Sequence, residues 1–250
     1  MHGKEREQEI INLLKTSNGF VTVKQLCAAL FASESSIRRD LKSLEERGLV
    51  KRSYGGASST VNHSHIVTFN QRTRNNAEAK KAIAQKAALL IQDGDVVFLD
   101  QSSSAFYLAN ELLNRSLLTV VTNNIEIVML LSHSAVKVIS SGGILSGENR
   151  SCLVGDDAQA TFENIVADWM FFSVKSISEN GVLTDCSREE VFVRNAMFKT
   201  AQKKVLLCDS SKFGTHATFK QCELPDLDYL ISEADRATYF SDYEDQVRLL

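Results

Sequence analysis

Residues 33–56 read Ser33-Glu34-Ser35-Ser36-Ile37-Arg38-Arg39-Asp40-Leu41-Lys42-Ser43-Leu44-Glu45-Glu46-Arg47-Gly48-Leu49-Val50-Lys51-Arg52-Ser53-Tyr54-Gly55-Gly56. Ile37, Leu41 and Leu44 recur at i, i+4 and i+7, which makes them one buried stripe of a helix. Ser33 is placed to cap its start, Glu34 faces the positive end of its dipole, and Gly48 ends it. Ser35, Arg38, Arg39 and Lys42 fall on the opposite side, and Ser36 joins them as a candidate contact. Short serines permit close approach to a groove, arginine pairs with guanine edges or phosphates, and lysine pairs with phosphates. Taken alone, the same surface also fits an ordinary solvated face, because a helix-turn-helix signal in one sequence has false positives.

The flanks narrow the choice. Upstream, Thr22 reads as the cap of a shorter helix carrying Val23, Leu26, Ala29 and Leu30, and it is counted among the candidate DNA contacts. A turn at Phe31-Ala32 separates that helix from the next, which is the helix-turn-helix layout with the later helix in the major groove. Earlier still, Ile10, Ile11, Leu13 and Leu14 predict a first helix that stops near Asn18-Gly19. Downstream, Leu49–Arg52 reads as a short strand and Ser53–Gly56 as the turn of a hairpin. A hairpin there is a wing. It sets Lys51 and Arg52 beside the DNA backbone and leaves Tyr54 to pack or to touch a sugar.

Ser35-Ser36-Ile37-Arg38-Arg39-Asp40-Leu41, then Leu44-Glu45, Gly48-Leu49, Arg52 and Tyr54-Gly55-Gly56-Ala57, resemble the DeoR family of sugar-operon regulators. The departures from its usual pattern are Ser36 for Thr, Tyr54 for His and Ala32 for Val. The resemblance implies a winged helix-turn-helix over residues 1–58 that binds a double-stranded operator. Residues 59–76 are polar at first and read as a linker. His63 and His65 in it read as exposed histidines, since no further metal ligand is near.

From Ala77 onward the pattern becomes α/β. A helix over 77–92 leads into the apolar run Val96–Leu99. Further strand candidates are Leu118–Val121, Val136–Ile139, Trp169–Val174, Val205–Cys208 and Tyr229–Ile231, with helices at 104–113, 124–132, 156–164 and 188–201. Short apolar strands alternating with helices predict a parallel sheet covered on both faces, and such sheets bind ligands at the carboxyl ends of their strands. Those ends carry Asp100, Ser102, Ser103 and Ser104, then Thr122 and Asn123, then Gly142 and Gly143, then Lys175, and finally Asp209 and Lys212. Hydroxyls and free amides at a helix start suit an anion, and glycines admit a close approach. Each piece by itself also fits a helix cap or a turn; their shared location points to a site.

The same segments resemble the sensor domain of the DeoR family, whose fold is similar to ribose-5-phosphate isomerase. The matching stretches are Leu99-Asp100 with Ser102–Ser104, Thr119–Asn123, Gly142-Gly143, Gly155, and Asp209 with Ser211–Gly214. Ser102 stands where Gly is frequent, Ser104 where Thr is, Lys175 where Asp or Asn is, and Ser176 where Gly is. The resemblance implies a sensor of a small phosphorylated sugar over 77–250, a homo-oligomer, no cofactor and no catalysis. An isomerase-like enzyme with an accessory DNA domain, using Asp100, Asp209 and Lys212 as acid/base groups, remains the alternative, and a winged helix that docks on protein is a third reading.

Composition bounds these readings. Hydrophobic residues make up 44% of the 250, enough for cores without disulfides. The five cysteines are scattered and form no CxxC pair, which fits a reduced cytoplasmic protein. The charged N-terminus does not read as a secretory signal, and no apolar run of about eighteen residues predicts a membrane span. The net charge of −3 divides into +5 over residues 1–74 and −8 over 75–250. A basic front and an acidic back place the polyanion partner at the front.

Overall fold

The computed structural model describes residues 3–16, 21–53, 55–59, 69–234 and 247–250. The chain divides into two compact units, residues 1–67 and 68–250.

In the first unit the elements are α1 (Gly3–Thr16), β1 (Val21–Thr22), α2 (Val23–Leu30), α3 (Glu34–Glu46), β2 (Val50–Ser53) and β3 (Gly56–Ser59). The strands form an antiparallel sheet in the order β1-β3-β2, so the β2–β3 hairpin is the expected wing. Ile10, Leu14, Val23, Leu26, Leu30, Ile37, Leu41 and Leu44 fill one core. Ala29, expected on the inner face of α2, is exposed. It lies roughly 100° around the axis from Leu30 and so misses the stripe. α2 ends at Phe31 in the left-handed region (φ 49°), which turns the chain into α3.

In the second unit α4 (Phe69–Arg74), α5 (Ala77–Ala88), β4 (Val96–Leu99), α6 (Ser103–Glu111), β5 (Thr119–Thr122), α7 (Ile125–Leu131), β6 (Lys137–Ser140), β7 (Ile144–Leu145) and β8 (Leu153–Val154) come first. They are followed by α8 (Asp156–Glu163), β9 (Ala167–Phe172), β10 (Ser176–Ile177), β11 (Val182–Asp185), α9 (Arg188–Thr200), β12 (Ala201–Leu207), β13 (Phe219–Glu223), β14 (Tyr229–Ile231) and β15 (Arg248–Leu249). Seven strands make a parallel sheet in the order β15-β14-β12-β9-β4-β5-β6. Successive side chains point to opposite faces. Val97, Leu99, Phe171, Val205 and Leu207 therefore pack with α5, α6 and α7, while Phe98, Met170, Phe172 and Leu206 pack with α8 and α9.

Strand order reverses direction between β4 and β9: β5 and β6 lie to one side, β12, β14 and β15 to the other. Such a switch point opens a crevice at the carboxyl ends of the strands. Two features differ from expectation. Residues 69–74 of the expected linker are helical, and α4 packs on α6 through Phe69 against Phe106 and through Tyr107, whose hydroxyl donates to the Thr73 carbonyl. An antiparallel sheet β10-β11-β13 and the β7–β8 hairpin also stand beside the main sheet. Their strands run mostly to two to five residues, too short to show a period.

Candidate functional site

Two surfaces carry the expected residues. On α3, Ser35, Arg38, Arg39 and Lys42 are exposed and Ser36 is half-buried. Ser33 Oγ accepts from the Ser36 amide at 3.3 Å and lies 3.0 and 2.9 Å from Ser35 Oγ and Ser36 Oγ, so three hydroxyls cluster at the helix start. Acids on the same unit hold most of the cations. Arg38 donates to Glu34 at 2.5 and 3.0 Å, Lys42 lies 3.9 Å from Glu46, and Arg52 lies 3.6 Å from Glu45. Arg39 is in no ion pair among the described residues. Lys51 is exposed on β2, and Tyr54 lies outside the described residues.

Asp40 faces inward. Arg6 donates to both of its oxygens, at 2.5 and 3.2 Å, and so clasps α1 to α3; Arg47 to Glu7 at 2.6 Å adds a second link. Thr22, counted as a DNA contact from sequence, is committed to its cap. Its Oγ accepts from the Gln25 amide at 3.2 Å, and the Gln25 side chain accepts from the Thr22 amide at 2.9 Å.

The second surface is the switch point. Ser102 Oγ caps α6 by accepting from the Ala105 amide at 3.0 Å. The Ser103 and Ser104 amides remain the open donors of that first turn. Asp100 is fully buried and accepts from the Ser102 amide at 3.0 Å and the Ser173 amide at 3.2 Å, which ties the end of β4 to the end of β9. Burial raises its pKa, against the pull of Arg194. Lys212 donates to Ser173 Oγ at 2.6 Å and lies 3.9 Å from Asp209. Burial pushes Asp209 upward, but Lys212, the Ser211 hydroxyl, the Asn76 amide and Lys80 outweigh it, so its pKa is lowered. Asn76, in the left-handed region, donates to Asp209 at 2.8 Å and to Ser211 at 2.9 Å. Lys80 is buried, with its ammonium on the Arg72 and Asn75 carbonyls at 2.5 and 2.6 Å. Burial and nearby Lys212 bring its pKa down to about 8.

The crevice thus gathers Asp100, Ser102, Ser103, Ser104 and Lys212. Thr122 and Asn123 lie at the end of the neighbouring strand, with Thr122 Oγ accepting from the Asn124 amide and Asn123 Nδ2 donating to the Leu153 carbonyl. Two expectations need correction, those for Gly143 and Lys175. Gly143 is not kept bare for a ligand: a Cβ there would stand 2.5 Å from the Val154 carbonyl oxygen and 3.0 Å from Ala158, so the chain's own packing requires it. At Gly142 space is open, and the positive φ of 66° is the constraint. Lys175 lies past the end of β9, with an exposed side chain and its amide on the Thr184 carbonyl; Ser173 takes the position at the strand end.

Sequence reasoning missed a buried charged layer. Arg194 donates to Asp185 at 2.6 Å and to the Ser173 carbonyl, and lies 4.0 Å from Asp100. Glu190 accepts from Gln101 at 2.8 Å and from Asn149 at 2.9 Å; burial and Asp185 push its pKa up. A signal was present: Glu190 and Arg194 share the inner stripe of α9 with Val193 and Met197, so two charges sit where the helix should be apolar.

A family model described as the DeoR-like helix-turn-helix domain matches residues 6–63, and one described as the DeoR C terminal sensor domain matches residues 75–234. The HTH-type transcriptional regulator GolR of Listeria innocua is 36% identical over 230 residues, covering 92% of this chain and 90% of that protein. The HTH-type transcriptional repressor GlcR of Bacillus subtilis is 33% identical over 234 residues, covering 93% and 89%. The glycerol-3-phosphate regulon repressor of Haemophilus influenzae is 32% identical over 231 residues, covering 91% and 88%. Among solved structures, ribose 5-phosphate isomerase A of Methanocaldococcus jannaschii aligns with a TM-score of 0.43 at 19% identity, over 56% of this chain and 55% of that one. With a winged helix in front, a parallel-sheet sensor behind, and both family models spanning nearly all of it, this chain belongs to the DeoR family of HTH-type transcriptional regulators.

Proposed function

We propose that the chain represses an operon of carbohydrate metabolism and leaves its operator when a small phosphorylated sugar binds. The observation that carries this reading is a combination on one chain: a winged helix presenting an exposed Arg39 that is in no ion pair among the described residues, and a sheet-end crevice with a capped helix start and a lysine. The relatives named as repressors, one of them of a glycerol-3-phosphate regulon, support it. Arg39 and Arg38 read bases, helped by Ser35 and Ser36; Lys42, Lys51 and Arg52 meet phosphates. Two copies of the chain present two such helices to repeated half-sites. The phosphate of the effector takes the Ser103 and Ser104 amides and the Lys212 ammonium. It shifts the protein because it binds one conformation better than the other.

The enzyme alternative is weakened by Asp100. It has no exposed surface, and each of its oxygens accepts a backbone amide, so it is held as a link between strand ends and out of reach of a substrate proton. The test uses two variants and an operator fragment. Arg39→Ala weakens operator binding by about 1–3 kcal/mol, the worth of a bidentate base contact. Lys212→Ala binds the operator normally and is no longer released by a phosphorylated sugar that releases the unmodified chain. Unaltered operator affinity in the first, or normal release in the second, refutes the assignment.

A further inference from the structure

The second unit opens at Thr68, and its first helix is α4, six residues long. A helix of that length does not hold itself, so its place depends on what grips it. One grip is α6: Phe69 meets Phe106 edge to face, and the Tyr107 hydroxyl donates to the Thr73 carbonyl. The other grip is at the carboxyl end of α4. The Lys80 ammonium donates to the Arg72 and Asn75 carbonyls at 2.5 and 2.6 Å, and the chain then enters α5 through Asn76.

Asn76 starts that helix in an uncommon way. Its backbone is left-handed, φ 52° and ψ 39°, a region that asparagine tolerates better than most residues. An asparagine in this position ordinarily accepts from an amide of the first turn. Asn76 makes no such bond. Its NH2 group goes instead to the loop after β12, donating to Asp209 Oδ1 at 2.8 Å and to Ser211 Oγ at 2.9 Å. A carboxylate only accepts, so the amide is held in that orientation. The other Asp209 oxygen lies 3.9 Å from the Lys212 ammonium, an attraction between charges without a hydrogen bond, while Lys212 donates to Ser173 Oγ at 2.6 Å.

Lys212 is the cation assigned above to the effector phosphate. A phosphate there competes for the ammonium that Asp209 attracts, and it sets a second anion beside that carboxylate. Like charges repel, so the load falls on Asp209 and on the Asn76 amide bonded to it. The α6 grip is a ring contact and a neutral hydrogen bond, on which an added anion has little hold. We propose that the Asp209–Asn76 hydrogen bond is the latch through which an effector bound at Lys212 shifts the end of α4, which makes Asn76 a positioning residue for release of the operator. This rests on the sensor reading above and says how occupancy of that site is passed on.

The test measures coupling in the full chain. An operator fragment is titrated with and without a phosphorylated probe, and the probe is titrated with and without the operator. The probes are glycerol 3-phosphate, pentose and hexose phosphates, and inorganic phosphate. In the unmodified chain the effective probe weakens operator binding by about tenfold or more, and the operator weakens probe binding by the same factor, as linkage requires. Asn76→Gly keeps the left-handed backbone and removes the side-chain donor. It binds the operator and the probe each within about threefold of the unmodified chain, while both coupling factors fall below about twofold. Asn76→Asp sets a carboxylate against Asp209 and gives the same uncoupling; an acidic residue suits the start of α5, so this variant serves should the glycine variant fold poorly. Intact coupling in either folded variant overturns the latch. Loss of probe binding in both also overturns it, because Asn76 would then belong to the pocket. A probe that binds the unmodified chain with no effect on operator affinity overturns release itself. Absence of binding by every phosphorylated probe overturns the sensor reading, and this proposal with it.

Discussion

Lys80 shows how much a single residue reports on its surroundings. Its ammonium is held by two backbone carbonyls, yet burial and Lys212 bring its pKa to about 8 from 10.5. Between those two values the unfolded chain holds the proton that the folded chain has lost, so this group's contribution to stability rises with pH from about 8 to 10.5. Denaturant unfolding of the unmodified chain against Lys80→Met should therefore show the unmodified chain gaining ground across that window; a pH-independent difference would refute the shift. At this scale the sequence was legible where residue type and position coincide: Ser102 at a helix start, Asp100 at a strand end, Lys212 in the loop after β12. Lys80, Glu190 and Arg194 were not. A charge on a helix reads as solvated, and only the finished packing shows α5 and α9 turning these inward.

For the elements, periodicity served the helices well and the strand ends less well. Strand termini are set by the ladder with the neighbour: β5 and β6 each begin one residue later than their apolar runs, at Thr119 and Lys137, because those residues pair with each other. α2 is short, eight residues, and helices of that length depend on their ends. Its capping box pairs Thr22 with Gln25 in both directions. Thr22→Ala should destabilise the winged helix by about 1 kcal/mol, read as a lower melting midpoint of that unit. No change would mean that the sheet, through β1, holds the turn without the cap.

For the whole molecule, the sign of the charge division seen in the sequence survives at the boundary between the two units with separate cores, +3 over residues 1–67 and −6 over 68–250, since Arg72 and Arg74 belong to the second unit. Calorimetry should resolve two transitions. A phosphorylated sugar at about one hundred times its Kd should raise only the sensor transition, by about 2.7 kcal/mol of stability; a shift of the winged-helix transition alone would place the ligand elsewhere. The seven-strand sheet also has an outer rim at β6, a four-residue strand with Lys137 and Ser140 exposed at its ends. A short rim bearing a lysine offers a poor template to another chain. Replacing Lys137 by valine would join Val136 to Val138-Ile139 in an unbroken greasy stretch, and stored, concentrated preparations would then clump through strand-to-strand stacking while the folded chain kept its melting temperature.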